Sequence, residues 1–221
     1  MTQSQPPNEI WSDGNCCFPF IKGRVALYAI LRAAGIGEGD EVLVPGFTCF
    51  VVAAAVRYVG AKAVYYDIDP TTYNGDPHRA AEKVNPSTRA VIVQHTFGVP
   101  MELGGLPSRC KEQNVLLIED CAHAMGAQTP AGSVGTLGDA AFASLQWSKP
   151  VTTGLGGIAR INNERLNENL DFVYRDEIRE PGWRKYYSLA VLSSLYNRFF
   201  RPSWYWRARS AYHWLSDRGF L

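Results

Sequence analysis

No continuous apolar run in the sequence approaches the ~20 residues needed to span a bilayer, and the opening MTQSQPPNEIWSDGN lacks the charged and apolar regions of a signal peptide. The expectation is therefore a chain in the cytoplasm. A charge excess of one sign is missing as well: the formal net charge is +1, which carries no overall nucleic-acid signature. The five cysteines, Cys16, Cys17, Cys49, Cys110 and Cys121, are odd in number and never spaced C-x-x-C. That argues against both a zinc site and a disulfide framework. What remains is a globular composition, 46% hydrophobic and 19% charged over 221 residues, enough to bury one large core or one domain with an extension.

Most of the chain reads as alternating strands and helices. Glu41 to Pro45, Ala63 to Ile68, Ala90 to Gln94 and Val115 to Asp120 read as strands, with apolar, β-branched-rich runs at their centres. Helices are predicted over Val25 to Ala34, Thr48 to Tyr58, Pro77 to Val84 and Gly105 to Asn114, with Asp76 and Pro77 as the cap and first residue of the third. Ala140 to Leu145 and Ile158 to Asn162 add two further strands. This alternation predicts an α/β fold with a mixed, mostly parallel sheet and helices on both faces.

The chemistry concentrates between Val115 and Lys149. The first strand of this stretch ends on Glu119 and Asp120; after a loop punctuated by Gly132, Gly135 and Gly138, the second delivers Ser144 and, five residues later, Lys149. In open α/β sheets ligands bind beyond the carboxyl ends of the strands, so these groups could face one crevice. An acid and a lysine so placed suit pyridoxal phosphate, which needs an amine to bond its aldehyde, a carboxylate to keep its ring nitrogen protonated, and donors for its phosphate. Read singly, Asp120 is equally a helix cap and Lys149 a solvated loop lysine. GLGG at Gly154 to Gly157 lacks G-x-G-x-x-G spacing and precedes a strand, which makes it a turn beside the lysine rather than a dinucleotide loop.

The runs IEDCAHAMGA, GSVGTLGDAAFASLQWSK and TTGLGG resemble the DegT/DnrJ/EryC1/StrS family of sugar aminotransferases, whose fold is that of aspartate aminotransferase (fold type I). The likeness continues upstream through GRVALYAILRAAGIGEGDEVLVPGFTC, AVYYDIDPTTYNGDP and QHTFGVP, and covers the chain from Pro19 to Asn163 in order. It implies pyridoxal phosphate as cofactor, with Lys149 bonded to it, Asp120 at its ring nitrogen, His123 near its phenolic oxygen, and Ser144, Gly23 and Arg24 at its phosphate. For Gly23 and Arg24 the physics is that of a helix N-terminus, whose free N–H groups favour an anion, although a Gly-Arg pair before a helix is also an ordinary turn. His95, in the HTFG turn, would lie on the substrate side, while a lone histidine after a strand also reads as structural.

Cys49 stands where the family often carries an aromatic residue that stacks on the ring. Phe47 and Phe50 flank it, and by residue type both read as core. Some relatives carry histidine at the lysine position and act as sugar dehydratases; lysine at 149 favours transamination. The resemblance then implies an amino group taken from glutamate and given to a keto-sugar attached to a nucleotide, by a homodimer, in cell-surface polysaccharide or secondary-metabolite biosynthesis.

Three segments are expected: a polar arm over 1–18, a cofactor-binding large domain over 19–163, and a helical extension over 164–221. The family continues into a smaller C-terminal domain, and the resemblance implies that this chain stops before it. Residues 181–221 carry seven Arg or Lys against one acid, a net +6 that leaves −5 for the remainder, and 12 aromatic residues. Pro202 should divide them into two helices. Such an Arg-and-aromatic segment reads first as a dimer or domain interface, since burying aromatic anchors is the more general use of such residues; contact of 183–214 with an anionic membrane surface is the alternative. The alternatives are a truncated chain that binds pyridoxal phosphate without turnover and acts as an interaction or regulatory subunit, and a lyase or dehydratase relative.

Overall fold

The computed structural model describes Trp11 and residues 16–178, 182–199 and 205–216. The strands are β1 (Cys17–Phe20), β2 (Glu41–Pro45), β3 (Lys62–Tyr66), β4 (Thr88–Gln94), β5 (Leu116–Asp120), the short β6 (Gln128–Thr129) and β7 (Gly132–Ser133), β8 (Ala140–Ser144) and β9 (Gly157–Ile161). The helices are α1 (Gly23–Ala33), α2 (Phe50–Tyr58), α3 (Pro77–Lys83), α4 (Leu106–Glu112), α5 (Glu164–Asp176), α6 (Trp183–Phe199) and α7 (Tyr205–Ser216). Every strand and helix bound read from the sequence up to Asn162 falls within two residues of the observed one. Asp76 caps α3 as expected, its side chain accepting from the N–H groups of His78 and Arg79.

Seven strands form one sheet in the order β1-β9-β8-β5-β4-β2-β3. β2, β3, β4, β5 and β8 pair in parallel, and β9 runs antiparallel to both β8 and β1. This is the expected mixed, mostly parallel sheet. Alternation along each strand divides its side chains between two layers. Ala90 and Ile92 of β4, Ile118 of β5 and Phe142 of β8 share a core with α1, α2 and α5. Val91, Val93 and Leu117 point the other way, into a second core with Ala80 of α3 and Leu106 and Cys110 of α4. In α1, Leu27, Ile30 and Leu31 are fully buried, each contributing roughly 1.5–3 kcal/mol relative to exposure.

Two elements lie outside the expected large-domain bounds. Cys17 and Phe18, read as part of the arm, pair with Arg160 and Ala159 in the sheet. Helix α5, read as the start of the extension, belongs to the sheet-bearing unit: Leu166, Leu170 and Val173 are buried in the core shared with α1, Asn163 caps the helix, and Arg32 of α1 donates to Glu177 at 3.1 and 2.8 Å. The chain divides into two compact units, residues 1–179 and 180–221, the second containing α6 and α7. Pro202, expected to separate two helices, lies outside the described residues. Among the described residues no helix is long and apolar enough to cross a membrane.

Gly157, the first residue of β9, packs directly against the backbone at the start of α1. A Cβ there would run into the carbonyl carbon of Lys22 and the nitrogen of Gly23, a clash of backbone with backbone that no side-chain rotation relieves. Gly157→Ala is expected to cost about 2 kcal/mol or more and to lower the melting temperature by about 5 °C. An unchanged melting curve would show that the two segments are not held this close.

Candidate active site

At the carboxyl ends of β4, β5 and β8 the sheet opens into a cavity of about 290 Å³. All the expected site residues except His95 line it: Gly23, Arg24, Cys49, Asp120, His123, Ser144 and Lys149. The start of α1 abuts the end of β8 so closely that a Cβ on Gly23 would sit 3.0 Å from the Ala143 carbonyl oxygen and from Ser144 Cβ. Lys22, the N-cap residue of α1, is extended and its side chain caps nothing. The first N–H groups of this 11-residue helix and the Ser144 hydroxyl are thus brought together on one side of the cavity, where a phosphate could be held.

Asp120 ends β5 and lies opposite Gln94 of β4 and Phe142 of β8 in register. Its Oδ1 accepts from the Ala122 N–H at 2.9 Å. Burial pushes its carboxyl up to about 6, against the Ala122 hydrogen bond and the positive charge of Lys149. A buried carboxylate with so few donors is poised for a cationic N–H from a ligand.

Lys149 Nζ lies 2.8 Å from His123 Nε2. Burial and then the Lys149 charge hold the His123 imidazole below its ordinary value. The ring is therefore neutral near pH 7, and with the ammonium donating, Nε2 accepts and the ring proton sits on Nδ1. Phe97 stacks on this imidazole, centroids 5.9 Å apart and planes 7° from parallel. It does so with φ 53°, a left-handed backbone that costs a non-glycine residue of order 1 kcal/mol.

Phe47 and Phe50 are not core residues, contrary to the reading by type. They are 43% and 76% exposed, because they lie in the loop after β2 and on the first turn of α2, beyond the carboxyl edge of the sheet. Phe47 lines the cavity and contacts Tyr73 and Phe97 at 5.4 and 6.0 Å between centroids. Exposed Cys49 is the N-cap residue of α2. The sequence reading missed a polar chain along the wall: Thr48 Oγ1 donates to Gln94 Oε1 at 2.6 Å, and Gln94 Nε2 donates to Thr96 Oγ1 at 2.9 Å. Its one sequence signal is parity, since Gln94 ends β4 on the face that carries Asp120.

His95 is on the opposite face, fully buried. Its Nδ1 accepts from the Met101 N–H at 2.9 Å, so the proton is on Nε2, which donates to Glu119 Oε2 at 3.1 Å. Glu119 also accepts the N–H groups of Gly135, Leu137 and Gly138 at 2.8, 2.7 and 2.8 Å. Burial alone would raise its carboxyl, but the hydrogen bonds from His95, Gly135 and Gly138 outweigh burial and hold it below the usual range. The ligand atoms of His95, Glu119 and Cys121 lie within 4.8 Å of one another. Both ring nitrogens and both carboxylate oxygens are nevertheless committed, and burial holds the Cys121 thiol well above its ordinary value. The group is an anchor for the loop before β8 rather than a ligand set.

Glu119→Gln replaces an acceptor of four N–H groups with an amide that has only one acceptor atom. It is expected to cost roughly 3 kcal/mol. Because the folded carboxyl is held low, that contribution is present at neutral pH and is lost as acid protonates the folded group; the Gln variant should lack this loss. Wild-type stability in the variant at pH 7 would exclude the anchoring role.

The sheet order, the antiparallel β9 and the cavity at the strands' carboxyl ends define a large domain of the aspartate-aminotransferase (fold type I) class. Residues 16–195 match the model of the DegT/DnrJ/EryC1/StrS aminotransferase family, and the chain belongs to this family. It is 36% identical over 172 residues to an L-glutamine:2-deoxy-scyllo-inosose aminotransferase of Streptomyces kanamyceticus, covering 75% of this chain and 40% of that protein. To a GDP-perosamine synthase of Escherichia coli O157:H7 it is 36% identical over 144 residues, 65% of this chain and 40% of that protein. The crystal structure of an aminotransferase from Psychrobacter cryohalolentis superimposes with a TM-score of 0.70 at 29% identity, over 80% of this chain and 47% of that one. The chain thus spans about 40% of the length of the curated relatives it matches.

Proposed function

We propose that this chain is the cofactor-binding portion of a pyridoxal-phosphate-dependent aminotransferase that takes an amino group from glutamate and gives it to a keto-sugar attached to a nucleotide. The observation that carries this reading is the meeting of the Lys149 amine and the Asp120 carboxylate in one cavity whose side is formed by the uncapped α1 and Ser144. When bound, pyridoxal phosphate supplies an aldehyde that bonds an amine and a ring that accepts electrons as a proton leaves the substrate carbon.

The residues present fit that group. Lys149 would hold the aldehyde carbon, and Asp120 would keep the ring nitrogen protonated. Ser144, Gly23 and Arg24 would hold the phosphate, and Cys49 would lie where an aromatic partner is more usual. With the cofactor bound, Lys149 would also be the group placed to carry a proton at the substrate carbon. Neutral His123, whose Nε2 lies 2.8 Å from Lys149 Nζ, would accept a hydrogen bond from that group and hold it in place. The Escherichia coli relative, whose name carries GDP, supports a nucleotide-linked acceptor; the Streptomyces relative is named for an L-glutamine donor. Exposed Phe50 beside the cavity suits coverage by a second copy in a homodimer.

Adding pyridoxal phosphate to the folded chain should produce a near-visible absorption band, and adding L-glutamate should move it to shorter wavelength. A band that responds only to L-glutamine reassigns the donor. A band that responds to neither indicates binding without turnover, and no band at all refutes the cofactor.

A further inference from the structure

Residues 183–216 contain Arg184, Lys185, Arg198, Arg201, Arg207 and Arg209 and no aspartate or glutamate, a net +6 in 34 residues of a chain whose total is +1. Among the described residues of the same segment, several large apolar side chains are exposed. In α6, Trp183, Tyr187, Val191 and Leu195 recur at every fourth residue, which sets them along one stripe, and they are 71, 67, 54 and 49% exposed. In α7, Trp206 and Trp214 are 68 and 54% exposed. Two arginines sit on exposed indoles: the Arg184 guanidinium is 5.5 Å from the Trp183 ring centre, and that of Arg209 is 5.5 Å from Trp206.

Whatever covers this surface must be anionic and, immediately beneath, apolar. Protein interfaces deplete charge at their centres and keep it to the rim, whereas here cations alternate with aromatic rings along the helices. The headgroup boundary of a bilayer accepts both at one depth: tryptophan and tyrosine rings settle there, and arginine stems reach outward to lipid phosphates. We propose that α6 and α7 dock on the anionic face of a lipid bilayer, placing this chain at a membrane surface. The proposal does not rest on the cofactor reading.

The test uses the full chain and vesicles of phosphatidylcholine, alone or mixed with phosphatidylserine. The chain should sediment with the mixed vesicles, release as salt is raised, and shift its tryptophan emission to the blue on binding. Each cation near an anionic surface strengthens binding about fivefold, so the double substitution Arg207→Glu, Arg209→Glu should weaken it roughly 25-fold or more. Trp183→Ser with Leu195→Ser should also weaken it and reduce the blue shift. No sedimentation with either vesicle overturns the proposal, as does equal, salt-independent binding to both. Binding that ignores the Trp183→Ser, Leu195→Ser pair reduces the contact to unspecific charge attraction and also overturns it. Self-association abolished by that pair, with no vesicle binding, assigns the surface to a second copy instead.

Discussion

Lys149→Ala should abolish the near-visible band and lower amino transfer by roughly a thousandfold or more, since on the proposed reading one residue would both bond the cofactor and move the proton. Stability should scarcely change. Lys149 is half-buried at the rim of a cavity, and its removal takes away one hydrogen bond, to His123, which water can replace; that is worth about 1 kcal/mol or less. The comparison of interest is with Lys22, which lines the same cavity. Lys22→Ala should leave the band in place, and a band that survives Lys149→Ala but not Lys22→Ala would exchange the two roles. Absorbance titration with pyridoxal phosphate, alongside a melting curve for each variant, separates these outcomes.

Asp120→Asn should move stability and catalysis in opposite directions. The carboxyl is pushed up to about 6 by burial from an ordinary value of 3.8, so the folded, cofactor-free chain binds a proton more tightly than the unfolded one. Stability of the empty protein therefore falls as pH rises between about 4 and 6, by something near 3 kcal/mol in all. The amide is isosteric and cannot ionise, so the variant should be more stable than wild type at pH 7 and flat across that window. Its amino transfer should nevertheless drop a hundredfold or more, because a neutral amide cannot hold a proton on the ring nitrogen. Near wild-type transfer would remove Asp120 from the chemistry; a variant that melts lower than wild type at pH 7 would deny that its burial is a strain on the empty fold.

Glu119, one residue earlier, contributes with the opposite sign. Its carboxyl is held low by hydrogen bonds from His95, Gly135 and Gly138, whereas Asp120 has a single backbone donor, from Ala122. Adjacent carboxylates on one strand face opposite layers, so one is fully satisfied by the protein and the other lines the cavity with a single backbone donor. A functional site that destabilises its own empty fold is common where binding must supply the missing partner.

The same parity explains what was and was not legible in the sequence. The central strands announce themselves as apolar runs, and the acid and lysine at their ends follow from where those runs stop. His95 was placed with the cofactor because it follows a strand end in a turn of the family type. Yet Gln94 is in register with Asp120, so Gln94 shares the cavity face and His95, one residue on, must turn to the other. Strand register, which requires the pairing and not only the strands, was the missing information.

β1 escaped notice because it is four residues long and contains Pro19, tolerable only because the strand lies at the sheet edge. Phe47 and Phe50 were misread because residue type favours burial, while their place past the strand ends decides for exposure. The Thr48, Gln94 and Thr96 chain could not be read locally, since it joins side chains up to 46 residues apart.

Borohydride reduction of the chain loaded with pyridoxal phosphate, followed by peptide mass mapping, tests the central assignment most directly. The expected result is a single modified peptide with the cofactor fixed on Lys149, lost in Lys149→Ala and retained in Asp120→Asn. Modification of Lys22 or of a lysine outside the cavity, or no stoichiometric modification in folded protein, would contradict it.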